Sequence, residues 1–232
     1  MHKIIPAFYF LIALLNLSGI FFEVLMLERI TKYLLMPVLI VYVITKWSGE
    51  KYRTYYFALA ALVLSWAGDV LLSLQTSQNS FFIYGLIFFL LAHLAYIFCY
   101  FHLVIDLKQP QNKTFLYTRV VALALTGAAL MTVLRYKVGD LLIPVGVYTI
   151  VIILMAIFAV YRKDKTSTAS FSLVYAGALM FILSDGMIAV NKFLNEFGNS
   201  GVYIMLTYII AQFLIVKGIL KHQQFIQELS EG

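Results

Sequence analysis

Long apolar runs divide the chain, and short polar segments separate them. Each run approaches the roughly 20 residues with which a helix crosses the hydrocarbon core of a bilayer, so each predicts a transmembrane helix. The predicted helices cover residues 4–22, 30–47, 54–74, 81–105, 116–134, 141–160, 170–191 and 201–220. Because little chain is left between them, we expect an all-α protein, a polytopic bundle of eight transmembrane helices that forms a single domain over residues 1–232.

The composition supports an integral membrane protein, since 62% of the residues are hydrophobic and only 12% are charged. A single cysteine, Cys99, lies within an apolar run, which excludes an intrachain disulfide and a cysteine metal cluster. No small-residue cleavage site ends the first apolar run, and further runs follow. We therefore expect the first run to remain as a helix and not to act as a removable signal peptide.

The net charge of +6 is explained by sidedness and does not indicate a nucleic-acid partner. Twelve of the seventeen Lys and Arg residues fall at the termini and in the second, fourth and sixth connections, and five fall on the opposite side. Positive residues concentrate on the cytoplasmic side of membrane proteins. We therefore expect both termini in the cytoplasm and the protein in the inner membrane of a bacterium.

Two aspartates, Asp69 and Asp185, lie deep inside predicted helices. An ionisable group at such depth is costly and usually faces a protected cavity, so the pair is the first candidate for function. Each lies 15 residues after the predicted start of its helix, about 22 Å along the helix axis at 1.5 Å per residue. Both helices run in the same direction, so the two carboxyl groups are expected at one depth, on one cavity.

The surroundings of the two aspartates differ. Ser65, Asp69 and Ser73 form one polar stripe at i, i+4 and i+8. Ser184 precedes Asp185. Glycines at 68 and 186 flank the acids and allow another helix, or a substrate, to approach the backbone closely.

Other polar residues occur at compatible depths on neighbouring predicted helices. Together with Ser65 and Ser184 they are candidates to bind a substrate: Lys32 at the start of the second helix, His93, Tyr148, Asn191, Lys192, Tyr208 and Gln212. Each also has a structural explanation. Lysines snorkel to the membrane interface or anchor a helix end, His93 and Gln212 can join helices by hydrogen bonds, and so can the two aspartates.

The segments around the two aspartates are similar to each other. Aligning Asp69 with Asp185 places AALVLSWAGDVLL over AGALMFILSDGMI. With four helices in each half, such a duplication predicts two parallel repeats in a 4+4 arrangement.

At these residues the chain resembles the YhhN-like lysoplasmalogenase family of eight-helix membrane proteins. The resemblance extends over nearly the whole chain, and its SxxGD and SD patterns occur in order along the helices. The residues that carry it are Lys32, Pro37, Ser65, Gly68, Asp69, Gly85, Phe89, His93, Tyr96, Pro144, Tyr148, Gly177, Phe181, Ser184, Asp185, Phe193, Tyr208 and Gln212.

The resemblance implies a hydrolase that cleaves the vinyl ether bond of lysoplasmalogens, giving a fatty aldehyde and a glycerophospho-alcohol. Such a reaction needs one acid and one base, as glycoside hydrolysis does, and requires no metal and no cofactor. In a buried carboxyl pair one member can stay protonated while the other is ionised. The apolar neighbours of Asp185 favour it as the acid, with Asp69 as the base. Lys32 or Lys192 is then expected to meet the phosphate of a lysophospholipid substrate in the bilayer.

The main alternative is a proton-coupled transporter of small molecules or lipids, because paired carboxylates and parallel repeats also occur in transporters. A lipid-binding or scaffold protein without catalysis is a third reading. The chain contains no GxSxG, HExxH or P-loop pattern, which argues against serine-hydrolase, zincin and nucleotide-driven alternatives.

The predicted sidedness can be tested by cysteine-accessibility labelling at Gln78 and Lys163, which belong to opposite sides. We expect a membrane-impermeant reagent to reach Lys163→Cys from the cytoplasmic side and Gln78→Cys from the other. Labelling of position 78 from the cytoplasmic side alone would contradict the topology.

Overall fold

A computed structural model describes residues 4–47, 53–74, 80–104 and 111–231. These residues form eight α-helices and one short 3-10 helix, Gly139–Leu141. The α-helices are α1 (Ile4–Phe21), α2 (Leu25–Lys46), α3 (Arg53–Ser73), α4 (Ser80–His102), α5 (Lys113–Leu134), α6 (Leu142–Tyr161), α7 (Thr168–Phe193) and α8 (Ser200–Glu231). The structure thus confirms the all-α class and the eight predicted helices. Position 78, used in the labelling test, lies outside the described residues.

Seven of these helices are long and apolar enough to cross a bilayer, and α2 falls below that standard within the described residues. The structure also corrects the start of α2, which begins at Leu25 and not at residue 30. Lys32 therefore lies two turns inside α2 and does not begin it. The added residues 25–29 include the charged Glu28 and Arg29, which interrupt the apolar run, and α1 stabilises this segment because Asn16 donates to the Glu28 carbonyl oxygen (2.9 Å).

The last helix also differs from the prediction, since α8 continues to Glu231 and not to residue 220. Its final turns contain Lys, Gln and Glu, which are good helix formers but end an apolar run. The apolar pattern therefore located the membrane-spanning part of α8 and missed its polar extension.

Helix pairing follows the order of the chain. α3 packs along α4, α7 along α8 and α1 along α2, and α4–α6 and α2–α8 contacts join these pairs into one bundle. Glycines permit the closest approaches. A Cβ atom on Gly177 would lie 2.9 Å from the Ala211 carbonyl oxygen of α8, and one on Gly218 would lie 2.9 Å from the Val174 backbone nitrogen of α7. The proposed 4+4 repeat is compatible with this pairing and stays a prediction.

A fully buried arginine joins three helices near the end of the bundle that carries both termini. Arg162 donates through Nε to the Leu103 carbonyl oxygen after α4 (3.3 Å) and through Nη2 to the Ser170 hydroxyl of α7 (2.7 Å). Ser170 in turn donates to the Gly218 carbonyl oxygen of α8 (2.7 Å). This network fixes that end of the bundle, and the candidate site lies toward the opposite end.

Two glycines of α7 offer a matched test of this packing. Gly177→Ala should lower the Tm of the purified protein, because its Cβ would collide with α8 backbone. A Cβ atom on Gly186 would meet no atom within 4 Å. Gly186→Ala should therefore leave the Tm unchanged or raise it, since alanine is more favourable than glycine in a helix interior by about 0.5–1 kcal/mol. Equal stabilities of the two variants would contradict the described α7–α8 contact.

Candidate functional site

Asp69 lies at the centre of a buried polar cluster. It is sixteen residues after the first residue of α3 and is 3% exposed. Tyr208 of α8 donates a hydrogen bond to Asp69 Oδ2 (2.7 Å), and Lys32 Nζ of α2 lies 3.9 Å from Asp69 Oδ1. A buried carboxylate needs a charge partner and hydrogen bonds, and these two residues supply them.

Gln212 connects this cluster to one further helix, α4. Its amide nitrogen donates to the Ser65 hydroxyl (3.1 Å) and lies 3.4 Å from the Tyr208 hydroxyl. Its amide oxygen accepts from the Tyr96 hydroxyl of α4 (2.6 Å). Gln212 is fully buried, so it holds Tyr208 in place and is not itself open to a ligand in this structure.

Asp185 belongs to a second cluster on α4, α6 and α7. It is seventeen residues after the first residue of α7, which matches the depth of Asp69. Tyr148 of α6 donates a short hydrogen bond to Asp185 Oδ2. His93 Nε2 lies 3.9 Å from the same oxygen, beyond hydrogen-bond distance, and both ring nitrogens of His93 are buried without a partner.

Two phenylalanine rings lie between the clusters. Phe181 makes edge contacts with His93 (4.7 Å between ring centroids) on one side and with Tyr208 (5.5 Å) on the other. Phe89 contacts both Phe181 (6.4 Å) and Tyr208 (5.8 Å). The aspartates are therefore at matched depth but in adjacent clusters, and a wall of aromatic rings stands between their partners.

Asp185 opens onto an apolar cleft, whose empty space, including its mouth, is about 730 Å³. This apolar cleft is lined by residues of α3 to α7: Leu72, Phe82, Leu86, Phe89, Thr126, Gly127, Leu130, Val145, Tyr148, Thr149, Ile152, Ile153, Ile182, Asp185, Gly186, Ile188, Ala189 and Phe193. Asp69 is not among them. The expectation of one cavity that both aspartates line is thus not met by the apolar cleft.

A polar vestibule adjoins the apolar cleft at the end of the bundle opposite the termini. It is lined by Ile20, Glu28, Lys32, Leu72, Phe82, Ile188, Asn191, Lys192, Glu196, Gly201, Ile204 and Met205. Leu72, Phe82 and Ile188 line both spaces, so the two are adjacent and meet at these three side chains. Lys32 links the vestibule to Asp69.

The remaining predicted site residues fall into two groups. Asn191 and Lys192 line the vestibule; Asn191 Oδ1 accepts from the Phe197 backbone nitrogen (3.2 Å), and Lys192 Nζ lies 4.3 Å from the centre of the Phe82 ring. Ser184 is buried and donates to the Ile204 carbonyl oxygen of α8 (3.0 Å), while Ser65 accepts from Gln212. The two serines therefore act in helix packing, away from both open spaces.

Sequence reasoning missed several site residues. Tyr96 was singled out only for the resemblance, although it lies one turn from His93 and completes the Gln212 network. Glu28 and Glu196 were not considered, because both precede or follow apolar runs. Across the described ranges no three His, Cys, Asp or Glu side chains come together as a metal site would require.

The fold and these clusters define an integral membrane protein of the helical-bundle class with two carboxyl groups at matched depth, one buried and one that faces a cleft. Residues 27–219 match the YhhN family model, and the chain belongs to this family. No solved structure matches it significantly.

Several curated relatives of the chain are named lysoplasmalogenase. A lysoplasmalogenase of Mycobacterium bovis is 31% identical over 160 residues, which cover 68% of this chain and 58% of the relative. The human lysoplasmalogenases TMEM86B and TMEM86A are 29% and 30% identical over 161 and 163 residues, covering 69% and 66% of this chain and 62% and 61% of the relatives. The matched part thus spans about three fifths of the length of these relatives.

The Lys32–Asp69 contact can be tested by a double-mutant cycle on stability. Lys32→Met and Asp69→Asn should each lower the Tm, and the double variant should lose less than the sum, with a coupling on the order of 0.5–3 kcal/mol. Lys192→Met is the matched control, because Lys192 contacts the Phe82 ring and should combine additively with Asp69→Asn. Additive behaviour of both pairs would contradict the ion pair.

Proposed function

We propose that this protein is a lysoplasmalogenase-like hydrolase, which cleaves the vinyl ether bond of a lysophospholipid to a fatty aldehyde and a glycerophospho-alcohol. The observation that carries the proposal is the adjacency of two unlike spaces, a vestibule lined by two lysines and two glutamates and an apolar cleft with one carboxyl group. An amphiphile with one phosphate and one hydrocarbon chain matches both. Membership of a family whose curated relatives are named lysoplasmalogenases supports the same substrate class.

Asp185 is the proposed acid. Vinyl ether hydrolysis begins when a proton is added to the carbon beta to the ether oxygen, which leaves an oxocarbenium ion at the alpha carbon. The Tyr148 hydroxyl occupies Asp185 Oδ2, so among the described contacts Oδ1 is left to carry that proton into the cleft. Proton transfer by a positioned carboxyl group is sufficient for this step, and the scheme needs no metal.

Asp69 is the proposed base. Lys32 and Tyr208 favour its ionised form, and Lys32 connects it with the vestibule, from which water enters. Because Asp69 does not line the cleft, the water that adds to the alpha carbon passes its proton to Asp69 through further water from the vestibule, which produces a hemiacetal. When the hemiacetal collapses, its hydroxyl proton returns to Asp185, and the glycerol oxygen takes the proton from Asp69 along the same water path. Both carboxyl groups are then reset.

The phosphate group is assigned to Lys32 and Lys192, the two lysines that line the vestibule. Lys192 follows Asp185 by seven residues on α7, about 10 Å along the helix axis. This separation suits a lipid whose reacting bond and phosphate are close together at one end of the molecule. Both termini remain on the proposed cytoplasmic side, so the vestibule opens on the other face of the membrane.

The proton-coupled transporter remains the second candidate. The observation that favours it is the buried chain of polar side chains from Asp69 through Tyr208 and Gln212 to Tyr96, which resembles a proton relay. Chemistry separates the two candidates. A hydrolase releases aldehyde in detergent, where no gradient exists, and a transporter does not.

Purified protein should release fatty aldehyde from a 1-alkenyl lysophospholipid and leave the saturated 1-alkyl analogue intact. In D₂O the aldehyde should carry one deuterium on the carbon next to its carbonyl group, because that carbon receives the catalytic proton. Asp69→Asn and Asp185→Asn should each reduce the rate by about 10²- to 10⁴-fold while the protein stays folded, since the amide keeps shape and loses proton exchange.

The Tm of each variant in detergent is measured beside its activity. Ser184→Ala is the matched control, because Ser184 precedes Asp185 and bonds only α8 backbone in the described contacts. A loss of less than about tenfold in both aspartate variants would remove the support for the acid–base pair. Absence of aldehyde from well-folded wild-type protein would refute the hydrolase itself.

A further inference from the structure

The wall of the apolar cleft offers hydrocarbon surface even where its residues are polar. Thr126 donates its hydroxyl hydrogen bond to the Ala122 carbonyl oxygen (2.9 Å), and Thr149 donates to the Val145 carbonyl oxygen (2.8 Å). Both hydroxyl groups thus have a hydrogen-bond acceptor within their own helix, and Thr149 also lies 3.5 Å from Met131 Sδ, so neither needs a polar partner in the cleft. Gly186 adds open space, because a Cβ atom there would meet nothing within 4 Å.

The cleft is open between α4 and α5. Over their described lengths, these two helices lack the packing contact that α1 and α8 make on the other side of the bundle. α1 packs against α8, where the Tyr9 hydroxyl donates to the Ile209 carbonyl oxygen (2.9 Å) and the Tyr9 and Phe213 rings stack at 5.7 Å. In a 4+4 arrangement the corresponding pair is α5 and α4. α5 packs on α6 and touches α7, and in the described residues no comparable packing joins it to α4. The cleft lies at this unclosed seam.

The cleft is also too short to hold a whole lipid chain. Its wall on α6 extends from Val145 to Ile153, eight residues or about 12 Å. Tyr148, which marks the level of Asp185, leaves only five residues, about 7 Å, before the inner end. One leaflet of the hydrocarbon core is about 15 Å thick, half of roughly 30 Å. A chain whose first bond lies at Asp185 must therefore leave the cleft sideways.

We propose that the apolar cleft is the binding site for the single hydrocarbon chain of a membrane amphiphile, and that this chain passes between α4 and α5 into the bilayer. The proposal rests on the proposed function and identifies how its substrate is held. The polar end enters the vestibule, the first carbons lie beside Asp185, and the rest of the chain stays among lipid chains. The seam thereby admits substrate from the membrane without complete transfer of the chain into protein.

A photoreactive lysophospholipid tests this route without any need for cleavage. The probe has one saturated 1-alkyl ether chain with a diazirine at its methyl end, and it is added to purified protein in lipid nanodiscs. Mass spectrometry should find competable labelling concentrated on the facing residues of α4 and α5. Thr126→Trp, which fills the α5 side of the cleft, should reduce that labelling by about tenfold or more.

Leu125→Trp is the matched control, because Leu125 neighbours Thr126 on α5, does not line the cleft and is 64% exposed. It should label as the wild type does. Gly186→Leu fills the cleft from α7 and replaces Thr126→Trp if the latter has a lowered Tm. Labelling spread evenly over all lipid-facing helices, or equal labelling of the filled and control variants, would overturn the proposal.

The same variants separate this proposal from the proposed function. Aldehyde release at an unchanged kcat/KM in folded Thr126→Trp would refute the chain route and leave the hydrolase standing. Confined, competable labelling of a protein that releases no aldehyde would support the cleft and refute the hydrolase. If a fatty acid of equal chain length reduced the labelling as strongly as the lysophospholipid does, the phosphate end would not be recognised. That result would overturn the proposed orientation.

Discussion

The cost of a carboxyl group inside a low-dielectric bundle organises the centre of this protein. A buried carboxylate is tolerated only when charge and hydrogen bonds replace the water it has lost. Asp69 on α3 obtains them from Lys32 on α2 and Tyr208 on α8, and Gln212 extends the network to Tyr96 on α4. One side chain thus requires four helices to keep a single arrangement, because displacement of any of them would leave a buried polar group unpaired.

The second carboxyl group, that of Asp185, has fewer polar partners. Asp185 has one firm hydrogen bond, from Tyr148, and an imidazole that stands just beyond hydrogen-bond distance. Phe89 and Phe181 separate this cluster from the first, and the remaining side of Asp185 faces apolar space. Two identical side chains at one depth therefore acquire unlike surroundings, which is the condition under which a carboxyl pair can divide into acid and base.

The site is open on one side because α1 and α5 pack differently against the bundle. α1 carries Tyr9, which is fully buried against α8, whereas α5 exposes most of its surface and meets chiefly α6. Helix packing therefore closes the bundle where α1 meets α8 and leaves it open between α4 and α5. Such a difference in packing creates a cleft between continuous helices, so the cleft does not require unpaired backbone groups at membrane depth.

The sequence by itself determined the class of the protein, the number of its helices and the common depth of its two aspartates. Apolar runs report the length of chain that can lie in hydrocarbon, and rise per residue converts position into depth. The apolar runs and the rise per residue are local properties of the chain, so the structure agrees with what they predict. The start of α2, where two charged residues interrupt the apolar run, and the polar end of α8 escaped the same reasoning, because apolarity alone does not mark them.

Only the tertiary structure decided which polar residues meet. Depth along a helix does not fix rotation about its axis, and a rotation of half a turn moves a side chain from a cavity to a neighbouring helix. Ser184 and Ser65 therefore bond other helices although both were expected to bind substrate, and Phe89 and Phe181 separate two carboxyl groups whose depths agree. The cleft is a property of all the interhelical contacts together, which no single apolar run records.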